Sequence, residues 1–281
     1  MSQKSYDGSA SLYLIPTPIG NLDDITVRAL NTFEMVDFVL CEDTRETGKL
    51  LSKYNIKKKL VSCHEFNEDK VKEYVINELK RGSNVGLVTD QGTPIISDPG
   101  YIVAKEVINC GFNVVSLPGA TAFVPALTMA GINPSPFLFY GFLNAKESKK
   151  KKELQSLKNL KYTMIFYEAP HRLKDTLKLM LEVFGNRNIS ISREISKIHE
   201  EIFRDKVSDL IEVSDSLKGE FVVIVEGNHD VVDYSHMSII EHVKLYIDDG
   251  MSDKEAVKLV AKERDVAKSL VYNEYHHYKD K

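Results

Sequence analysis

The chain has 281 residues, 43% of them apolar, and a formal net charge of −4. That length allows one large or two modest domains with a real core, and the acidic balance excludes a generic basic nucleic-acid coat, so RNA contact needs local basic patches. No apolar run nears the roughly 20 residues of a bilayer span; the polar start lacks a signal-peptide core, and Cys41, Cys63 and Cys110 form neither a zinc pattern nor a disulfide framework.

In chain order, residues 12–30 read as a short buried strand, a turn bearing Pro16, Pro18 and Gly20, and a helix. The prolines stiffen the turn and the glycine lets it bend or approach a ligand. The glycine-rich dinucleotide fingerprint is absent. Strand signals at 13–16, 38–42, 85–89 and 113–117 alternate with helical patterns at 26–35, 71–81, 102–110 and 122–130. Such alternation predicts a mostly parallel sheet with helices on both faces. Two prolines in residues 131–136 mark a boundary. Strand signals at 137–142, 163–167, 189–192 and 221–226, with helices at 150–157 and 173–183, predict a second α/β domain. A polar stretch at 228–235 is a further boundary. Beyond it lie three short helices, with capping-box pairs Ser238/Glu241 and Ser252/Glu255. The expected organisation is a disordered start (1–11), α/β domains at 12–133 and 134–230, and a helix-turn-helix-like extension at 235–281.

Several polar segments follow apolar strands, where an open α/β sheet binds ligands. Residues 90–100 hold two aspartates, several glycines and prolines, and hydroxyls at Thr93 and Ser97; they suit a ligand loop or an ordinary turn. Pro118-Gly-Ala-Thr121 opens a helix whose N-terminus has free N–H groups; it reads as a ligand loop or a plain helix start. In Glu42-Asp-Thr-Arg45, Asp43 is either a helix cap paired with Arg45 or part of a cleft with Glu42. Glu168, His171 and Arg172 cluster after the strand at 163–167 and are candidates to act on a substrate, with Glu42, Arg45 and Lys197 across the cleft. The segment from Arg193 to Glu201 has the charge density of a solvated turn. Lysines 149–152 read as a solvated helix face or a phosphate grip.

Together these segments resemble the tetrapyrrole-methylase superfamily over residues 12–227, and within it the branch that methylates a cytidine ribose of 16S rRNA. The resemblance implies two α/β domains with S-adenosylmethionine (SAM) in the cleft between them, usually in a homodimer. By position it implies SAM contacts at Pro16, Thr17, Pro18, Ile19, Thr93, Ile96, Gly119, Ala120, Tyr167, Ser192 and Phe221. The activity expected is SAM-dependent 2′-O-methylation of a cytidine in 16S rRNA, within the 30S subunit and in the cytoplasm, with no metal, membrane or DNA. A sulfonium methyl is already activated, so alignment of the 2′-hydroxyl and a proton acceptor suffice. Two other readings stay open: a tetrapyrrole C-methyltransferase, or a non-enzymatic RNA-binding assembly protein.

Overall fold

The computed structural model describes all residues except 1, 2, 6, 216, 230–233, 235, 236, 280 and 281. The chain divides into two compact units, Met1–Asn228 and His229–Lys281. Most of the boundary expected at 228–235, including Ser235, lies outside the described residues.

The first unit opens with a parallel sheet. Its strands are β1 (Ser11–Leu14), β2 (Phe38–Cys41), β3 (Lys59–Ser62), β4 (Val85–Leu87) and β5 (Asn113–Ser116), in the order β3-β2-β4-β1-β5. Every pairing is parallel; Leu12 faces Val85 and Val114, for example. Connections run through α1 (Val27–Met35), α2 (Thr44–Lys53), α3 (Glu68–Lys80) and α4 (Tyr101–Asn109). Central strands covered on both faces need no polar alternation. Leu12 and Leu14 therefore pack with Val71, Val75 and Val103 on one side, while Tyr13 and Ile15 pack with Phe33, Val39 and Leu51 on the other. The expected disorder of 1–11 does not hold for its described part. Ser11 opens β1, the Gln3 side chain donates to Val114 O at 2.8 Å, and Asn113 donates to Asp7 at 3.1 Å.

After α5 (Phe123–Met129) comes a second sheet of β6 (Phe137–Phe142), β7 (Thr163–Glu168), β8 (Asn188–Arg193), β9 (Glu201–Lys206) and β10 (Phe221–Val225), ordered β6-β7-β10-β8-β9. Only β6 and β7 run parallel among its pairings. Helices α6 (Glu147–Leu157), α7 (Leu173–Phe184) and α8 (Val207–Ser214) cover one face, around Phe166, Leu177 and Val223. The opposite face packs Ile165, Val222 and Ile224 on Ala126, Leu127 and Ile19. Ile19 belongs to the turn after β1, so this core ties the two sheets together. A bulge in β6 between Phe139 and Gly141 adds a second tie. There Gly141 has φ of 81°, and a Cβ would stand 2.9 Å from Ser97 Oγ.

Two sequence expectations change. The charged segment after Arg193 is not a turn throughout: Glu201 opens β9, an edge strand, and Arg193 Nε lies 3.1 Å from Glu201 Oε2. The lysine run is not uniformly solvated either. Lys150 is buried, because α6 turns it against Glu168 of β7 and Thr176 of α7.

The second unit holds α9 (Ile239–Asp248), α10 (Asp253–Glu263) and α11 (Lys268–Lys279) around Val243, Val257, Val260 and Val271. Both capping boxes form, each serine accepting from the N3 amide while the N3 glutamate reaches back.

Candidate active site

Loops at the carboxyl ends of β1, β4 and β5 meet the second sheet around a cavity of about 460 Å³. Its walls are Ile19, Thr89–Thr93 and Ile96–Asp98 on one side, with Thr121 and Ala122. Facing them are Phe142, residues 167–170, Ile195 and residues 220–222. The β1 and β4 loops are pinned together. Thr17 and Gly92 exchange backbone hydrogen bonds of 2.9 and 3.0 Å, and Thr17 Oγ1 donates to Thr89 O at 3.2 Å. The β5 loop joins them where Thr93 Oγ1 donates to Ala120 O at 2.9 Å. Within the β4 loop, Ile95 and Ser97 hold positive φ of 76° and 66°. A β-branched residue rarely adopts that region, and such strain persists only where surrounding contacts over-determine it; Ile95 packs against the core shared by β1 and α4.

Of the cofactor contacts expected by position, Ile19, Thr93, Ile96, Tyr167 and Phe221 line this cavity. Pro16, Thr17, Gly119, Ala120 and Ser192 are not among its lining residues, and Pro18 faces a neighbouring cavity. Gly119 is small for a reason other than a ligand: a Cβ there would lie 2.5 Å from Pro16 Cβ. The Pro16–Gly119 contact therefore sets the spacing of the β1 and β5 loops. Ser192 is buried on β8, and its hydroxyl has no hydrogen-bond partner among the described residues.

The polar candidates separate. Asp43 caps α2, accepting from Arg45 N at 2.8 Å, and Arg45 Nη2 stands 2.7 Å from Asp43 Oδ2. Those bonds hold the Asp43 carboxyl down at about 2. Arg45 thus follows the capping reading and is 83% exposed. Lys197 pairs with Glu194 and Glu220 at 3.1 and 3.0 Å. His171 is exposed on the turn after Pro170.

Glu168 touches the cavity yet is 2% exposed. It accepts from Ala169 N at 2.9 Å and from the Thr176 hydroxyl, and it stands 3.4 Å from Lys150 Nζ. Arg172 Nε lies 3.1 Å from Glu168 Oε1 as an ion pair without hydrogen-bond alignment, while Arg172 Nη2 donates to Leu143 O at 2.6 Å. Glu168 and Arg172 accordingly anchor the loop after β7.

A second carboxylate group is freer. Thr89 Oγ1 stands 3.5 Å from Glu42 Oε2 and also serves Asp98. Asp90 Oδ1 accepts from Asp43 N at 3.1 Å. Burial raises the Glu42 and Asp90 carboxyls. Burial first, with Glu42 and Asp90 nearby, pushes Asp98 up to about 6. Asp98 belongs to the loop at 90–100, but its clustering with Glu42 depends on the β2–β4 pairing, which residue spacing does not give.

The cavity suits a cationic sulfonium nucleoside. Ile19, Ile96, Ile195 and Val222 offer apolar faces, Asp90 and Asp98 offer negative charge, and the Ser192 hydroxyl, unpartnered among the described residues, lies on β8.

The tetrapyrrole (corrin/porphyrin) methylase family model matches residues 11–211. "Ribosomal RNA small subunit methyltransferase I" of Bacillus subtilis is 47% identical, with 98% of each chain covered. Proteins of the same name from Halalkalibacterium halodurans (43%; 98% of this chain, 99% of the relative) and Rickettsia prowazekii (38%; 95% and 96%) are also similar. Among solved structures, uroporphyrin-III C-methyltransferase from Thermus thermophilus aligns with TM-score 0.57 at 19% identity, covering 77% of this chain and 94% of that one. A cobalt precorrin-4 methyltransferase aligns with TM-score 0.58 at 18% identity, covering 80% and 98%. At such identity these two share the fold.

Proposed function

The chain belongs to the tetrapyrrole methylase family, and from that premise we propose that it is a SAM-dependent methyltransferase that 2′-O-methylates a cytidine of 16S rRNA. The observation that carries this reading is 47% identity along 98% of the chain to a small-subunit rRNA methyltransferase. Full-length likeness of that order outweighs the tetrapyrrole reading, whose solved representatives share only the fold. A complete cavity at the strand ends weighs against a purely structural assembly role. We further propose the 30S subunit as the substrate particle, a homodimer as the working form and the cytoplasm as the compartment. No helix among the described residues is long and apolar enough to cross a membrane.

The residues that would hold SAM are Ile19, Thr93, Ile96, Tyr167 and Phe221, with Thr121, Ala122 and Val222 beside them. Bound SAM supplies an electrophilic methyl group. The rest falls to the chain. The cavity walls hold the ribose hydroxyl in line, since placement alone can supply about 7–11 kcal/mol of barrier reduction. Asp98 faces the cavity with a carboxyl poised near 6, so it is ionised at neutral pH yet basic enough to take the hydroxyl proton. Glu168, held by Lys150, Thr176 and Ala169, fixes the opposite wall.

The test is methylation of unmethylated 30S subunits with labelled SAM, followed by mapping of 2′-O-methyl positions. One labelled cytidine ribose in 16S rRNA is expected. Label on uroporphyrinogen instead, or none in 16S rRNA, would overturn the reading.

A further inference from the structure

Beside the first cavity lies a second, of about 250 Å³, and the two share Asp90 and Gln91 as a common wall. We propose that this second cavity receives the target cytosine, while its ribose crosses the Asp90–Gln91 wall and the flanking phosphates rest on Lys49 and Lys53. The proposal rests on the rRNA-methylation reading above and specifies how that substrate is held.

Size is the first argument. Pockets for drug-sized ligands begin at about 300 Å³, so this one suits a single base rather than a second nucleoside cofactor.

Its chemistry is the second. Pro18, Leu22 and Leu50 give an apolar floor, and Leu22 is fixed because Tyr54 Oη donates to its carbonyl at 2.8 Å. On the shared wall, one oxygen of Asp90 is engaged by the Asp43 amide and the carboxylate has a second. A carboxylate accepts from the N4 amino group of cytosine and repels the O4 of uracil; a glutamine amide donates to cytosine N3 or O2. Unpaired bases are read on these edges in single-stranded RNA.

Charge is the third argument. Lys49 and Lys53 stand four residues apart on α2 and so share one face. Lys49 pairs with Glu46 at 2.7 Å but stays 71% exposed. Such surface pairs are weak, so its ammonium can turn to a phosphate. The cavity lining as a whole is charge-balanced, with Lys49 and Lys53 against Glu46 and Asp90, so the phosphate contact is confined to the lysine edge on α2 while Asp90 is kept for the base.

The experiment compares wild-type protein with Lys49→Gln/Lys53→Gln and Asp90→Asn, using 30S subunits carrying C or U at the methylated position. SAM affinity is measured in parallel by calorimetry. For the double lysine variant, KM for 30S subunits should rise at least tenfold with kcat nearly unchanged. The slope of log(kcat/KM) against log salt should flatten by about 1.4, the value for two phosphates of a single strand, and SAM affinity should stay at the wild-type value. Asp90→Asn offers an amide that can donate to uracil O4, so preference for C over U should fall at least tenfold. A wild-type KM and salt slope in the lysine variant, or an unchanged C-over-U preference in Asp90→Asn, overturns the subsite. Wild-type protein that binds SAM but labels no 16S rRNA overturns the functional reading itself, and that is seen before any variant is made.

Discussion

At the scale of single residues, position in the sequence and role in the site diverge most for the acids. Glu168 follows an apolar strand and looks like a base, yet its carboxylate is occupied by an ammonium, a hydroxyl and an amide. Asp98 sits inside a loop of turn residues and faces the cavity. Its protonation is tied to stability. Burial raises its carboxyl from 3.8 to about 6, so between these values the folded chain holds a proton that the unfolded chain has lost. Stability from this group is therefore full below about pH 4 and is lost as pH rises through 6. Asp98→Asn keeps the neutral shape at every pH. Relative to wild type, the variant should melt at a higher temperature at pH 8, and the gap should close near pH 4. Its kcat/KM should fall at least 100-fold, in line with a general base, and the wild-type acid limb near pH 6 should vanish from its residual activity. Equal melting temperatures at pH 8, with an unchanged pH–rate profile, would remove Asp98 from both roles.

At the scale of elements, the strands readable from sequence are the ones with apolar runs, which include the edge strands β5 and β6 as well as interior strands. Residues 11–14 and 221–225 are continuous runs that no solvated turn could carry, and both form central strands. The edge strands β3 and β9 escape such reading because their residues are half-exposed or exposed and lack alternation. The lysine run in α6 shows the same limit. Four consecutive lysines cannot be told apart in sequence, but a helix turns about 100° per residue, so Lys150 alone of them is buried beside Glu168. Removing Lys150 takes one of two cations from buried Glu168, and Arg172 Nε stays 3.1 Å away, so the cost falls below the about 3–5 kcal/mol of a buried charge left without compensation. Lys150→Met should lower unfolding free energy by about 1–3 kcal/mol in urea titration. Lys149→Met, on the exposed side of α6, should change it by no more than about 0.5 kcal/mol. Similar losses in both variants would mean that the Lys150–Glu168 contact contributes nothing distinctive.

For the molecule as a whole, alternating strands and helices made the α/β class and the parallel first sheet legible. The mixed order of the second sheet was not, because antiparallel neighbours such as β10 and β8 are set by long-range pairing that leaves no local spacing. The C-terminal helices were legible from their capping boxes, which form as expected. Their unit is self-contained: Val243, Val257, Val260, Val271 and Tyr275 make a separate core. Within it, buried His242 stacks on Tyr234 at 3.5 Å and accepts from Arg264 Nε at 3.1 Å through Nδ1, and burial lowers its pKa. The natural place to separate the two units is after Asn228. Every residue that lines either cavity lies before that point. A chain ending at Asn228 should therefore bind SAM with wild-type affinity. From His229 to Lys281 the chain has eight Lys/Arg against eleven Asp/Glu, a net acidic balance that does not suit a grip on phosphates alone. Its expected contribution is docking of the substrate particle. Loss of docking should act on KM: kcat/KM for 30S subunits should drop at least tenfold, with kcat at saturating subunit changing less than threefold. If the truncated chain binds SAM and methylates 30S subunits with the wild-type KM, docking is excluded, and the helices serve only as a separately folded appendage.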